Sequence, residues 1–194
     1  MMSSPGTPSF RIRPATADDL PGVLRCLGAA FEPYRSGYTR DAFADTVLTP
    51  EGASARLAAM HILVAEDESG VVVGTVAWGL RSGSTGHLRG MAVIPGQQGS
   101  GVAQALLDRA LDELTEAGSA VVALGTTALL QRAIRFYEKN GFRPSGKVTD
   151  FFGMQLIEWS RPLTNRRADR APSSGMGGSS ERAGRTSPGT TGCE

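Results

Sequence analysis

A glycine-containing loop over residues 98–103 holds the residues of this chain whose types and spacing best suit chemistry. Because glycine has no Cβ atom, the backbone at Gly99 and Gly101 can adopt left-handed angles and approach a ligand closely. A helical pattern begins at Val102, so the free N–H groups of the turn and the positive end of the helix dipole would together favour an anion such as a pyrophosphate. Glycines alone would fit an ordinary strand-to-helix turn equally well.

Two blocks of the sequence together resemble motifs of the GNAT superfamily of N-acetyltransferases. The loop is similar to motif A, whose pattern is Arg/Gln-x-x-Gly-x-Gly/Ala, and it reads Gln98-Gly99-Ser100-Gly101-Val102-Ala103. Residues 132–142, Arg-Ala-Ile-Arg-Phe-Tyr-Glu-Lys-Asn-Gly-Phe, are similar to motif B, in which a helix carrying a tyrosine turns at Gly-Phe into a strand. The two motifs stand in the family's order and separation, and the resemblance covers roughly residues 10–163.

The resemblance implies acetyl-CoA as co-substrate, bound by the loop and by the preceding strand. The loop 98–103 would hold the pyrophosphate, with Gln98 standing where the family often has arginine. The backbones of Met91, Ala92 and Val93 would pair with the pantetheine amides. By analogy, N–H groups near Met91 and Val93 would face the thioester oxygen, where one such donor contributes roughly 3 kcal/mol of transition-state stabilisation.

Tyr137 is the expected general acid, because its place in motif B matches the family tyrosine that reaches the coenzyme sulfur. A phenol has a reference pKa of about 10, close to that of a thiol, so it can return a proton to the leaving thiolate. The family often has asparagine seven residues earlier, where this chain has Leu130. That departure weakens one coenzyme contact without excluding activity, and Thr126 and Thr127 offer hydroxyls nearby.

The group that takes a proton from the amine is the least determined by the sequence. His87, which begins the expected fourth strand, is the first candidate, since imidazole titrates near neutral pH. A lone histidine at a strand end is more often structural, and Glu32 and Asp150 are rivals. By position in the family fold, the acceptor pocket is expected to contain Glu32, Tyr34, Trp78, Asp150 and Phe152. Its aromatic rings and carboxylates favour a cationic amine.

The resemblance implies an enzyme, an N-acetyltransferase acting on a small-molecule or peptide amine. Direct attack in a ternary complex is expected, because Cys26 lies on the first predicted helix, away from both motifs. The alternative is a non-catalytic acyl-CoA-binding sensor or regulatory module. Tyr137 favours the enzyme, while Leu130 and the lack of a glutamate on the fourth strand leave room for the sensor. A nucleotide enzyme is disfavoured, because the loop lacks a Walker lysine and the full Gly-x-Gly-x-x-Gly spacing.

Hydrophobic periodicity predicts one α+β domain over residues 10–163. The predicted strands cover residues 10–13, 61–66, 71–80, 87–93, 121–126, 142–146 and 151–159. The predicted helices cover residues 17–30, segments between Tyr38 and Ala59 interrupted near Pro50, 102–117 and 129–140. The resemblance implies the GNAT fold, a twisted, mixed sheet of six to seven strands flanked by about four helices, whose fourth and fifth strands splay apart to admit pantetheine.

Composition excludes several classes of partner. The chain has 194 residues, with 20 Lys and Arg against 19 Asp and Glu, so bulk charge indicates no nucleic-acid partner. Cys26 and Cys193 fit neither a metal spacing nor a disulfide framework, so we expect no metal. No apolar run approaches the ~18 residues of a membrane span, and the N-terminus lacks a basic apolar signal, so we expect no membrane partner and a cytoplasmic location.

The two ends of the chain have a different composition from the domain between them. Residues 1–9 are rich in Pro, Ser and Gly, and residues 164–194 contain almost no large apolar side chain. Such segments bury too little surface to offset their ordering entropy, so both are expected to be disordered. The identity of the acceptor and the choice between monomer and homodimer stay open.

Overall fold

A computed structural model describes residues 9–81 and 84–163, which form one seven-stranded sheet with five α-helices. Strands β1–β7 span Phe10–Pro14, His61–Asp67, Val72–Leu80, Thr85–Val93, Val121–Thr126, Arg143–Phe151 and Met154–Pro162. Helices α1–α5 span Leu20–Phe31, Arg40–Val47, Pro50–Ala59, Val102–Glu116 and Gln131–Lys139. Three short 3₁₀ segments span Ala17–Asp19, Glu32–Gly37 and Pro95–Gln97.

The strands follow the order β1-β2-β3-β4-β5-β7-β6, and every neighbouring pair is antiparallel except β4 and β5, which are parallel. This mixed sheet confirms the predicted fold. Helix α4 packs on one face through Leu106, Leu107 and Leu114, all fully buried. Helix α1 packs on the other face through Cys26 and Leu27. A cavity lined by residues of both α1 and the start of α4 crosses the sheet between these helices.

The structure refines two details of the sequence prediction. The helical stretch before residue 60 is two helices, because Pro50 occupies a helix start and the Thr49 hydroxyl accepts from the N–H of Gly52 at 3.2 Å, so α3 is a separate helix. The sixth strand is longer than predicted, and the seventh begins and ends three residues later than predicted. Phe152 and Gly153 have φ of 50° and 81°, so they form the tight turn of a hairpin rather than the start of a strand.

The predicted splaying of the fourth and fifth strands is present. β4 pairs with β5 only over Thr85–Leu88, opposite Val121–Leu124, and the rest of β4 then pairs with β3 alone. The register between β3 and β4 shifts between Thr75 and Ala77, opposite Gly90 and Met91. Gly90 has a φ of 62°, a left-handed angle that favours glycine. A bulge at this point bends β4, and a gap opens between it and β5.

Within residues 9–81 and 84–163, no helix is long and apolar enough to cross a lipid bilayer. The disorder expected before residue 9 and after Leu163, and the cysteine at position 193, lie outside the described residues.

Candidate active site

A cavity of about 580 Å³ lies where β4 and β5 diverge. Its wall includes His87 and the following residues of β4 on one side and Leu124–Thr127 on the other. One half of the cavity is bounded by the glycine loop and α5, and we call it the coenzyme half after the role that the resemblance implies for this loop. The other half lies beside α1, α2 and the 3₁₀ segment Glu32–Gly37, and we call it the acceptor half. The gap between the two strands joins the halves.

The glycine loop takes the backbone conformation that its sequence predicts. Gly99 and Gly101 have φ of 90° and 93°, and a Cβ built on either glycine would meet no heavy atom within 4 Å. Gly101 is the residue before α4, so the N–H groups of the first helical turn begin there. The Ser100 hydroxyl donates to the carbonyl of Gln97 at 2.6 Å and holds the loop. The loop therefore presents helix N–H groups beside open space.

The six loop residues do not all reach the cavity. Gln98, Gly99, Gly101 and Ala103 line it. Ser100 does not belong to the lining. Val102, the first residue of α4, is only 1% exposed and packs in the core.

Arg132 is a residue of the coenzyme half that sequence reasoning missed. Its Nη1 donates to Oε1 of Gln98 at 2.6 Å, and Gln98 in turn donates from Nε2 to the carbonyl of Val93 at 3.3 Å. Arg132 and Lys139 both line the cavity from α5. The positive charge beside the glycine loop therefore comes from motif B, although Gln98 itself is neutral. The signal was available, since Arg132 is the first residue of that motif.

Met91, Ala92 and Val93 all line the cavity along the free edge of β4. The bulge opposite Val76 places Gly90 and Met91 against one residue of β3, which leaves one β4 residue unpaired in the ladder. The carbonyl of Ala92 accepts from the thiol of Cys26 at 3.8 Å, on the α1 side. Burial raises the pKa of that thiol to about 12, so Cys26 is an inert packing residue.

Tyr137 lies near the end of α5 and lines the cavity, with only 8% of the residue exposed. Its ring packs edge-on against Phe136 and Phe142, with centroids 5.6 and 5.7 Å away. Burial raises the pKa of the phenol above its ordinary value of 10. The phenol is therefore protonated at neutral pH and has a proton to donate.

Two buried threonines stand beside the position where the family often has asparagine. Leu130 occupies that position and lines the cavity. Thr126 and Thr127 are each 3% exposed, line the cavity, and have hydroxyls with no hydrogen-bond partner among the described residues. An unsatisfied buried hydroxyl costs about 1–3 kcal/mol, so a ligand that bonds to these groups would gain from them.

His87 lines the acceptor half, but its environment does not suit a base. Its Nε2 lies 2.7 Å from Nη2 of Arg81, and because a guanidinium only donates, Nε2 is the acceptor. Burial, followed by repulsion from Arg81 and Arg89, lowers the pKa of His87 to about 4. The imidazole is therefore neutral at pH 7, and the lone pair of Nε2, which a base would use, already accepts a hydrogen bond from Arg81.

Of the residues expected around the acceptor, Tyr34 lines the cavity and Glu32 does not. Glu32 is exposed and pairs with Arg35 at 2.9 Å. The carboxylate of Asp150 accepts from the N–H of Gly153 within the β6–β7 turn, at 3.2 Å. Neither carboxylate reaches the cavity.

Phe152 and Trp78 also lie outside the cavity lining. Phe152 is 51% exposed, and its carbonyl accepts from the Thr39 hydroxyl at 2.8 Å. Trp78 is buried on the α4 face of the sheet, where it stacks on His61 with centroids 4.2 Å apart and donates to Glu113. Side chains alternate along a strand, so Trp78 points to the face opposite the acceptor half.

The acceptor half contains a charged cluster that sequence reasoning did not find. Arg56, Arg81 and Arg89 line it, and Asp45 is the carboxylate among the lining residues that the structure describes. Asp45 pairs with Arg89. Burial, and then repulsion from Arg89, lowers the pKa of Arg56 to about 10, which leaves it charged at pH 7. Across residues 9–81 and 84–163, no group of three or more His, Cys, Asp or Glu side chains is placed to hold a metal ion.

A family model described as the acetyltransferase (GNAT) family matches residues 25–142 of the chain. A mycothiol acetyltransferase from Beutenbergia cavernae is 37% identical over 82 residues, which cover 42% of this chain and 28% of that protein. The match thus spans less than a third of the relative's length.

Solved structures share the fold. A GNAT-family acetyltransferase from Staphylococcus aureus Mu50 has a TM-score of 0.67 at 20% identity, with 80% of this chain and 100% of that chain covered. The PaiA N-acetyltransferase from Thermoplasma acidophilum, in complex with coenzyme A, has a TM-score of 0.65 at 17% identity, with 77% and 98% covered.

Proposed function

Because this chain belongs to the acetyltransferase (GNAT) family, we propose that it transfers an acetyl group from acetyl-CoA to a primary amine by direct attack in a ternary complex. The observation that carries the proposal is the cavity that runs from the glycine loop, through the gap between β4 and β5, to the acceptor half. A donor on one side and an amine on the other would meet at this gap. Tyr137 lines the same cavity.

The residues of the coenzyme half fit coenzyme A. Gly99 and Gly101 leave open space beside the first N–H groups of α4, which suits a pyrophosphate. Arg132 adds a positive charge to that end. The hydroxyls of Thr126 and Thr127, which have no partner among the described residues, are suited to the amides of a pantetheine arm. They would supply the hydrogen bond that the apolar side chain of Leu130 cannot make.

The reaction needs a group that stabilises charge on the carbonyl oxygen and a group that protonates sulfur. The thioester of the bound coenzyme supplies the activated acetyl group. The bulge at Gly90 and Met91 would direct a backbone N–H at the oxygen that becomes negative when the amine attacks, an interaction worth about 3 kcal/mol. Tyr137 would give its phenolic proton to the sulfur as the carbon–sulfur bond breaks, and recover a proton from water.

The amine must lose a proton before or during its attack. His87 is a poor base because Arg81 occupies Nε2 and its pKa is about 4. Glu32 and Asp150 do not line the cavity, and Asp45 is paired with Arg89. We therefore propose that the ammonium loses its proton to water in the acceptor half, and that no side chain acts as the base.

The second candidate is a non-catalytic acyl-CoA sensor, and the observation that favours it is the lack of a side-chain base among the described residues of the cavity. Calorimetry with acetyl-CoA, followed by mass spectrometry of a panel of amines incubated with acetyl-CoA and protein, separates the two. Binding together with an N-acetylated product supports the enzyme. Binding without product from any amine would indicate the sensor, and absence of binding would contradict both.

A further inference from the structure

The acceptor half has a net positive charge, which is unexpected for a pocket that takes an amine. Three guanidinium groups, Arg56, Arg81 and Arg89, line it against Asp45, the one carboxylate of the lining within the described part of the chain. His87 is neutral at pH 7 and adds no charge. The carboxylates that favoured a cationic acceptor on sequence grounds do not line the cavity. The lining would repel a polyamine.

Arg56 is the arginine of this cluster whose charge is left for a ligand. Arg89 pairs with Asp45. Arg81 donates to His87 and lies 3.6 Å from a carboxylate oxygen of Glu158. Arg56 forms no ion pair within residues 9–81 and 84–163. Burial opposes its charge, and the attraction of Asp45, which is already paired with Arg89, offsets only part of that cost. A desolvated charge without a partner is costly, and an anionic ligand group would remove that cost.

The guanidinium of Arg56 lies directly against the bulge of β4. Its Nη1 is 2.8 Å from the position that a Cβ would occupy on Gly90. Glycine at this position therefore allows the bulge and also makes room for the arginine. Met91 follows immediately, and its backbone is the one proposed to face the thioester. An anion held by Arg56 would thus lie beside the bulge at which the amine is proposed to react.

The remaining walls of the acceptor half are apolar or aromatic. They are formed by Ala30, Phe31, Tyr34, Tyr38, Phe151 and Leu156, and Thr46 of α2 adds one hydroxyl. Such walls suit an apolar side chain rather than a sugar or a charged chain.

We propose that the acceptor is a small amine that carries a carboxylate close to its amino group, as an apolar or aromatic amino acid does, and that Arg56 binds this carboxylate. The inference rests on the proposed acetyl transfer and adds the substrate class. A phosphonate or phosphate ester of an amine shares the anionic chemistry, but Arg56 is the one arginine of this half, among the described residues, that is not already paired, and a single guanidinium matches the single charge of a carboxylate.

The test compares three acceptors that differ at one group: phenylalanine, phenylalaninamide and phenethylamine, with leucine and its amide as a second set. For the wild-type protein, kcat/KM for phenylalanine and leucine should be at least about tenfold above that for the acceptors that lack a carboxylate. This is the range expected for a charge-assisted contact. The aminophosphonate analogue of phenylalanine forms a further arm. If it surpasses phenylalanine, the carboxylate assignment is overturned.

Arg56→Gln should raise KM for phenylalanine and leucine by about tenfold or more. KM for the amides and for phenethylamine, which lack the carboxylate, should stay within about twofold of the wild-type value. Arg56→Lys, which keeps the charge, should restore part of the selectivity and is the variant to use if Arg56→Gln does not fold. Arg25→Gln, an exposed arginine on α1 outside the cavity, is the matched control and should change neither value. An equal loss for charged and neutral acceptors in Arg56→Gln would overturn the proposal.

A binding experiment separates failure of this inference from failure of the proposed reaction. Phenylalanine and leucine are titrated calorimetrically into protein saturated with coenzyme A, with no acetyl group present. Binding that Arg56→Gln abolishes supports the anion site even if no turnover is found. Turnover of neutral amines only, or no binding of either amino acid to the wild-type protein, counts against it.

Discussion

Gln98 accepts a hydrogen bond at 2.6 Å from Arg132, 34 residues later in the chain, and this contact joins the glycine loop to the first turn of α5. The neutral amide thereby holds a guanidinium beside the start of α4. An arginine on the loop itself would place one charge there directly. Here the charge comes from α5, which also carries Tyr137. One helix therefore positions both the guanidinium beside the glycine loop and the phenol that lines the cavity.

Arg132→Gln is expected to weaken acetyl-CoA binding by about tenfold, because a charged contact to phosphate is worth roughly 1.5–3 kcal/mol. The loss should shrink as ionic strength rises, since salt screens this interaction in the wild-type protein. Calorimetry at low and high salt measures both effects. Arg135→Gln, exposed on the same helix and outside the cavity, is the control. Equal affinities for the Arg132 variant and the wild-type protein would exclude a phosphate contact.

Gly101→Glu should abolish coenzyme binding, because a carboxylate would occupy and repel the place proposed for pyrophosphate. Any side chain at a φ of 93° also strains the backbone, so loss of stability must be separated from loss of binding. Gly118→Glu is matched for this purpose: its φ is 84°, a Cβ there meets nothing within 4 Å, and it lies outside the cavity. The melting temperatures of both variants, measured by differential scanning calorimetry, should fall by similar amounts. Acetyl-CoA affinity should fall only in Gly101→Glu, and equal affinities would remove the loop from the site.

Tyr137→Phe keeps the ring that packs on Phe142 and removes the proton donor. We expect kcat to fall by at least about tenfold, with coenzyme affinity nearly unchanged, because general acids contribute roughly 10²–10⁴-fold and water replaces part of the effect. The deficit should be smaller with an acyl donor whose leaving thiol is more acidic. Because burial raises the pKa of the phenol, kcat of the wild-type protein should not fall through loss of its proton below pH of about 10. Full kcat in Tyr137→Phe, measured where chemistry limits the rate, would leave the residue only a packing role.

His87→Gln should retain activity within about threefold, because the glutamine oxygen can accept the hydrogen bond from Arg81 and no proton transfer is lost. The pH profile of kcat/KM for the wild-type protein should lack a limb near the ordinary histidine value of about 6.5 and should instead follow the pKa of the acceptor amine. His87→Ala, which leaves Arg81 without this acceptor, serves as the structural comparison. A kcat/KM about a hundredfold lower in His87→Gln, together with a limb near pH of about 6.5 that is present in the wild-type profile and absent from that of the variant, would assign the base role to His87.

The sequence was sufficient where structure depends on neighbouring residues. The spacing of Gly99 and Gly101 predicted the left-handed turn, because only glycine takes that angle without cost. The apolar period after Val102 predicted α4, which buries that face against the sheet. The mixed sheet and the splayed strands were implied by the family resemblance that the two motifs carry, and Tyr137 does line the cavity between those strands.

Only the tertiary structure decided the character of the acceptor half. Trp78 was expected there, but strand alternation turns it to the α4 face, and the carboxylate of Glu32 is paired with its neighbour Arg35. Arg56 and Arg89 come from a helix and a strand that are distant in the chain, and nothing in either segment indicates that they meet. Backbone angles and amphipathic faces are set by local sequence, whereas the charge of a cavity is the sum over side chains that long-range packing brings together.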